Sequence, residues 1–317
     1  MGLLTARFEH QGRTLWGIVQ ADRVIPVGEY PTTRAFLEEG RAALSRADGM
    51  GLPLSEVRLL SPVTRPARVV AQGVNYADHR REGGYDAAKP PFNMIFTKAD
   101  SSICGPTDAV VCPPHVRLLD YEIELGLVIG KRITGPAQVT RENLHEYVAG
   151  LTVTNDVSAR DVQIPQEQWD KGKSYRTFCP TGPYLYLLEA GDAELLDHLE
   201  LRLWVNGELR QSASTSDMLY KPGETLTELS ALMDFDPGDL ILTGTPAGVA
   251  LAPPPKPVQK LSALLLSPGK RFAMFLEGQL KNPRYLKDGD LIRAQIYSTD
   301  GRFDLGTQLN PVEGGRS

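Results

Sequence analysis

Apolar and polar positions alternate with a period of two over the first thirty residues. Leu4, Ala6 and Phe8 are followed by Thr14-Leu15-Trp16-Gly17-Ile18-Val19 and then by Val24-Ile25-Pro26-Val27. The pattern predicts short strands joined by turns at Gln11-Gly12 and Ala21-Asp22. A helical pattern follows from about Thr33 to Ala47, with Phe36, Leu37 and Leu44 on its apolar face. The stretch Leu60-Ser61-Pro62-Val63-Thr64-Arg65-Pro66 resists both helix and central strand because of its prolines. A small N-terminal β domain is therefore expected over 1–65 and a larger domain over 66–317. In the larger part, strands are predicted at 69–73, 94–98, 121–130, 150–156, 184–188, 201–205, 240–243 and 291–297. Helices are predicted at 77–82, 141–147, 159–168 and 226–233. This mixed order lacks the strict alternation of a doubly wound sheet and points to a β-rich α+β fold. No internal repeat is visible. Pro253-Pro254-Pro255-Lys256-Pro257 opens a long connection ending near Lys287, and a connection of that length carries local structure, function or mobility.

Composition changes this picture little. The 30 glycines and 24 prolines suit a turn-rich β protein, and 317 residues are enough to bury a core without staples. With 34 basic and 39 acidic residues the net charge is −5, which gives no general attraction to nucleic acid or anionic lipid. The longest basic run is His79-Arg80-Arg81. Three cysteines without C-x-x-C spacing form neither a disulfide framework nor a zinc site and suit a reduced, cytoplasmic protein. No signal peptide is read at the N-terminus, and no apolar run approaches the roughly 18 residues of a membrane span.

The strongest chemical signal is Leu119-Asp120-Tyr121-Glu122-Ile123-Glu124-Leu125, running into Gly126-Leu127-Val128-Ile129. On a strand, Asp120, Glu122 and Glu124 share one face. Three like charges need water, basic partners or a cation, and a solvated edge strand would supply the first. The flanking apolar run reads as a buried strand, which favours a cation. Asp156, in Thr154-Asn155-Asp156-Val157-Ser158-Ala159-Arg160-Asp161, sits where a strand meets a helix. It is either a helix N-cap or a further oxygen ligand. An all-oxygen set suits Mg²⁺, Mn²⁺ or Ca²⁺.

Elsewhere, His79 and Glu82 are three apart, hence neighbours on a helix. They form either a surface pair or a base that activates water. Gly83-Gly84 ends that helix before a polar, proline-containing stretch with the character of a lid. Gly172-Lys173-Ser174 is not a P-loop, because Glu167 stands where the first glycine is required. In Gly238-Asp239-Leu240-Ile241-Leu242-Thr243-Gly244-Thr245-Pro246-Ala247-Gly248 a strand ends in a glycine-rich turn able to approach an anion.

These segments, in this order, resemble the fumarylacetoacetate hydrolase family over about residues 66–252 and again from Leu286-Lys287-Asp288-Gly289-Asp290. The resemblance implies a mixed β-roll catalytic domain and a divalent metal, Mg²⁺ or Mn²⁺, on Glu122, Glu124 and Asp156, with Asp120 outside the ligand set. It further implies that Lys173 stabilises enolate charge, that His79 with Glu82 activates water, and that Gln163, Thr245 and Arg160 meet the substrate. Members are typically homodimers. Two departures stand out: the familiar Lys-Pro pair reads Lys98-Ala99, and the 253–285 stretch is longer than the family pattern. The expected function is metal-dependent hydrolysis of a C–C bond in a small acidic oxo acid through an enolate. Isomerisation or decarboxylation at the same site is the alternative, and a non-catalytic protein that kept only a structural cation is the rival from another class.

Overall fold

The computed structural model describes residues 2–166, 168–254 and 256–314; Glu167, at the end of one predicted helix, and Pro255, in the proline run, lie outside them. A mixed sheet of eleven strands forms the spine. Its main path runs Leu52–Pro53, Arg23–Gly28, Arg13–Gln20, Leu3–His10, Tyr184–Leu187, Val148–Asn155, Ile123–Ile129, Leu240–Leu242, Val69–Gly73 and Met94–Lys98. All neighbours are antiparallel except Leu240–Leu242 and Val69–Gly73, which run parallel. The N-terminal strands extend this sheet: Leu3–His10 pairs with Tyr184–Leu187 in register Leu4↔Tyr186.

A second sheet of five strands packs alongside: Glu208–Ser214, Leu199–Val205, Leu291–Ser298, Asp304–Gly314 and Val110–Cys112. Ile123–Ile129 and Val148–Asn155 are buried along their whole length, as expected of strands covered on both faces. Leu125, Leu127, Leu151 and Val153 lie in one core cluster with Leu201, Leu203 and Ile296 of the second sheet. This layered, sheet-rich architecture is the β-rich α+β fold expected.

Local chemistry moved several element ends. The helix over 33–46 is a turn of α-helix, a π turn and a 3₁₀ turn in succession. Gly40 lies in the middle, where an added Cβ would come within 2.7 Å of both Phe36 and Tyr30. Pro222–Leu232 begins four residues before its predicted start because Pro222 opens the helix and Glu224 accepts the Lys221 N–H at 3.1 Å. The predicted 141–147 helix shrinks to Leu144–Tyr147. The long connection after Pro253 is structured: Lys256–Leu265 and Pro268–Gln279 form a helical hairpin. Its stem is closed by Gln279, whose Nε2 donates to the Ala252 carbonyl at 2.7 Å, and by Asn282, whose Nδ2 donates to the Ala250 carbonyl at 2.7 Å. Among the described residues no helix is long and apolar enough to cross a membrane.

Candidate active site

Glu122 and Asp156 sit at the same end of two paired strands. Register Ile123↔Asn155 brings them together, and the Asp156 N–H donates to the Glu122 carbonyl at 2.8 Å. Glu124, one step inside the strand, joins them: the carboxylate oxygens of Glu122, Glu124 and Asp156 lie within 4.8 Å of one another, all buried. The same-face reading of Asp120 fails because the strand is interrupted at Tyr121-Glu122. Asp120 turns instead to the Ala250 and Leu251 N–H groups, at 2.7 and 3.0 Å, and to Arg160 Nε at 2.8 Å.

Three buried cations face these acids. Lys173 Nζ bridges Glu122 Oε2 at 2.7 Å and Asp156 Oδ2 at 2.5 Å. Lys98 Nζ reaches Asp156 Oδ1 at 2.6 Å and the Lys173 carbonyl. Arg160 binds Glu122 Oε1 at 2.5 Å and Gln163 Oε1 at 2.9 Å besides Asp120. Burial alone would raise the Glu122 carboxyl, but Lys173, Arg160 and His79 outweigh it and hold it down at about 2. Glu124 is the reverse case. Burial, Asp156 and Glu122 push it well above the ordinary carboxylate range, and its one hydrogen bond among the described residues comes from the Gly244 N–H at 2.6 Å.

With all four acids (Asp120, Glu122, Glu124, Asp156) ionised, three cations (Lys98, Lys173, Arg160) would leave one negative charge uncompensated, and Glu124 is the acid that no cation contacts among the described residues. An oxygen-only donor set with uncompensated buried charge fits a hard divalent cation. Lys98, whose role the sequence left open, is thereby part of the site. Its partners lie 58 and 75 residues away, so no local pattern signals it.

A cavity of about 1100 Å³ opens over this cluster, and Glu122, Lys173, Arg160, Gln163, Thr245 and His79 all line it. Thr245 Oγ1 donates to the Ile123 carbonyl at 3.0 Å and accepts from Gln211 Nε2 at 2.8 Å. Gln211 also accepts the Ile123 N–H at 3.0 Å, a supporting role that sequence reasoning missed. His79 lies on the helix Ala77–Glu82, with Nδ1 3.2 Å from Glu82 Oε2. Glu82 is itself fixed by the Gly248 N–H, at 3.1 and 3.2 Å from its two oxygens. The pair thus leaves the imidazole Nε2 as the ring nitrogen free for the cavity.

Gly248 has a positive φ of 108°, and a Cβ there would meet the Arg210 carbonyl oxygen at 2.0 Å. Gly248→Ala is expected to cost roughly 1–3 kcal/mol through backbone strain. It should also lower turnover by releasing Glu82. Urea unfolding and a rate assay on one preparation check both effects.

Comparison with known proteins agrees with this geometry. Residues 68–313 match the family model described as fumarylacetoacetate (FAA) hydrolase, C-terminal, and residues 5–62 match one described as Rv2993c-like, N-terminal. The chain belongs to the fumarylacetoacetate hydrolase family. It is 44% identical over 225 residues to a Bos taurus protein named oxaloacetate tautomerase FAHD2B, mitochondrial, covering 68% of this chain and 69% of the relative. Among solved structures it is similar to a fumarylacetoacetate hydrolase from Exiguobacterium antarcticum, with a TM-score of 0.71 and 34% identity over 99% of this chain and 100% of the other. A 2-hydroxyhepta-2,4-diene-1,7-dioate isomerase from Mycobacterium marinum gives a TM-score of 0.71 and 27% identity over 99% and 100%.

Proposed function

We propose that this chain is a divalent-metal-dependent enzyme that interconverts the enol and keto forms of a small acidic 2-oxo acid. The observation that carries the reading is His79, latched through Glu82 to Gly248 and lining the same cavity as Lys173 and Glu122 of the acidic triad. The presence of both His79 and Glu82 in the sequence places C–C hydrolysis first. A tautomerase among the relatives and an isomerase among the similar structures move proton transfer ahead of it.

Tautomerisation removes the enol O–H proton and adds one to the adjacent carbon, so no water enters. His79 is the proposed carrier of that proton through Nε2, with Glu82 fixing its ring. Lys173 offsets negative charge growing on the enolate oxygen, a term that is usually large in such steps. Gln163 and Thr245 are the proposed substrate contacts, with Arg160 orienting Gln163. A Mg²⁺ or Mn²⁺ ion on Glu122, Glu124 and Asp156 would supply Lewis-acid polarisation of the substrate oxygens.

The second reading is hydrolysis, favoured by the same His–Glu pair. His79 would take a proton from water, the hydroxide would add to a carbonyl, and the C–C bond would break toward the enolate. On either reading the enzyme is proposed to be a cytoplasmic homodimer, which light scattering on the purified protein and localisation of a tagged chain test.

The deciding assay supplies Mg²⁺ or Mn²⁺ and follows enol decay of oxaloacetate, CO₂ release, and pyruvate release from an acylpyruvate. His79→Asn is expected to lower kcat roughly 10²–10⁴-fold. Turnover of every substrate unchanged by this substitution, or no turnover despite metal-dependent stabilisation, overturns the catalytic reading.

A further inference from the structure

The cavity is far larger than its charged end requires. Pockets for drug-sized ligands run to roughly 300–1,000 Å³. At about 1100 Å³, this one would be mostly empty around a four-carbon acid. Part of its wall has a different chemistry from its floor. Phe96 begins it, with its ring 5.2 Å from Lys173 Nζ and 5.2 Å edge-on from Trp169. The helical hairpin adds to the same lining, with Phe272 and Phe275 at a ring-centroid distance of 6.3 Å and Val258 and Ser262 beside the same space. Val258 and Met274, both on this wall, keep 44% and 46% of their surface exposed. Apolar surface of this kind inside a polar-ended cavity marks where a ligand's apolar part is covered.

We propose that the hairpin over 256–279 is a specificity wall, and that the substrate is a 2-oxo acid carrying a bulky apolar substituent, aromatic or long alkyl. Its oxo acid head occupies the acid–lysine floor and its tail lies between Phe96–Trp169 and Phe272–Phe275. This rests on the assignment of the floor as a 2-oxo acid site. Arg271 is the charged side chain that the hairpin's described residues bring to the cavity wall, and its Nε is buried with no hydrogen-bond partner among the described residues, so an acidic tail is the competing outcome.

The test is calorimetric binding to the full chain with Mg²⁺ present, which reads the cavity without turnover. Pyruvate, 4-phenyl-2-oxobutanoate and 2-oxoadipate share a head and differ in tail. The phenyl compound is expected to bind at least about tenfold more tightly than pyruvate, the scale of burying an aromatic side group. Phe272→Ala with Phe275→Ala should erase that gain and leave pyruvate unchanged. Because the double variant removes two packed rings, Ser262→Trp provides a second route: it fills the cavity and should exclude the phenyl compound alone. Leu264→Ser, on the same helix but off the cavity and 82% exposed, should change neither affinity.

Equal affinity for pyruvate and the phenyl compound, or no binding of the latter, overturns the proposal. So does tighter binding of 2-oxoadipate that is lost in Arg271→Gln. A chain that shows the phenyl preference yet turns over no oxo acid upholds the wall and sinks the catalytic assignment, so the two failures are distinguishable.

Discussion

Glu124→Gln is expected to make the metal-free protein more stable, while removing nearly all turnover and most of the stabilisation by Mg²⁺ or Mn²⁺. The carboxylate is buried, faces Glu122 and Asp156, and has no cation in contact among the described residues. Its pKa in the folded state stands well above the ordinary value of 4.5, first through burial and then through those two neighbours. The sign follows from linkage. The folded state holds this proton more tightly than the unfolded state. Burying this carboxyl therefore costs stability at neutral pH, where the unfolded chain ionises it freely, and the penalty fades as pH falls toward 4.5. An amide removes the charge and with it this pH dependence, while keeping an oxygen for the Gly244 N–H. In the parent, a cation at 100 times its dissociation constant should add about 2.7 kcal/mol. In the variant most of that gain should vanish, and turnover should fall about 10³-fold or more, equivalent to losing several kcal/mol of Lewis-acid stabilisation. Thermal melts across pH with and without Mn²⁺, beside a rate assay, check each part. A variant less stable than the parent without metal, or one fully stabilised by Mn²⁺, would contradict this account of the triad.

Arg160→Met should be among the most destabilising single substitutions in the chain, at about 3–5 kcal/mol, because it strips two buried carboxylates of their partner. Arg160 spans Asp120, Glu122 and Gln163 with separate nitrogens. Lysine restores the charge but not the fork, so Arg160→Lys should recover only part of the loss. The pH dependence differs from that of Glu124. Glu122 titrates at about 2 in the folded protein, below its ordinary 4.5, so the stability it contributes is present above pH 4.5 and is lost as pH falls toward 2. The Met variant should show a weaker loss over that window. Urea unfolding of the three proteins between pH 2 and 7 provides the measurement. A Met variant within about 1 kcal/mol of the parent would show that Lys173 and the Ala250 and Leu251 N–H groups suffice.

Much of the candidate site was legible because its residues obey short-range periodicity. Glu122 and Glu124 announce themselves by two-residue spacing in an apolar run, and His79 with Glu82 by helical spacing. What escaped was set by distance in the chain. Lys98 joins Asp156 across 58 residues, and Gly248 holds Glu82 across 166. Asp120 shares the period of the glutamates but lies beyond a break in the strand, so its face is set by Arg160 rather than by alternation. The strands Glu208–Ser214 and Asp304–Gly314 were missed for a related reason. Buried Gln211, Gln308 and Asn310 bond to backbone groups of other elements, and these inward polar residues erase the hydropathy signal that marks a strand.

The closed stem of the hairpin makes the region between it a cassette. Ala250 and Leu251 are anchored to Asp120 on the core side, and Gln279, Asn282 and Arg284 tie the returning chain to Ala252, Ala250 and Gly248. The two ends of the graft are therefore held side by side whatever lies beyond them, and loop length adds little to the closing cost. Homologous loops of different length can be exchanged at this junction while the acid–lysine floor and the His79 latch stay in place. Substrate range in such a scaffold can diverge by replacement of one contiguous segment, leaving the proposed proton-transfer residues to be inherited intact.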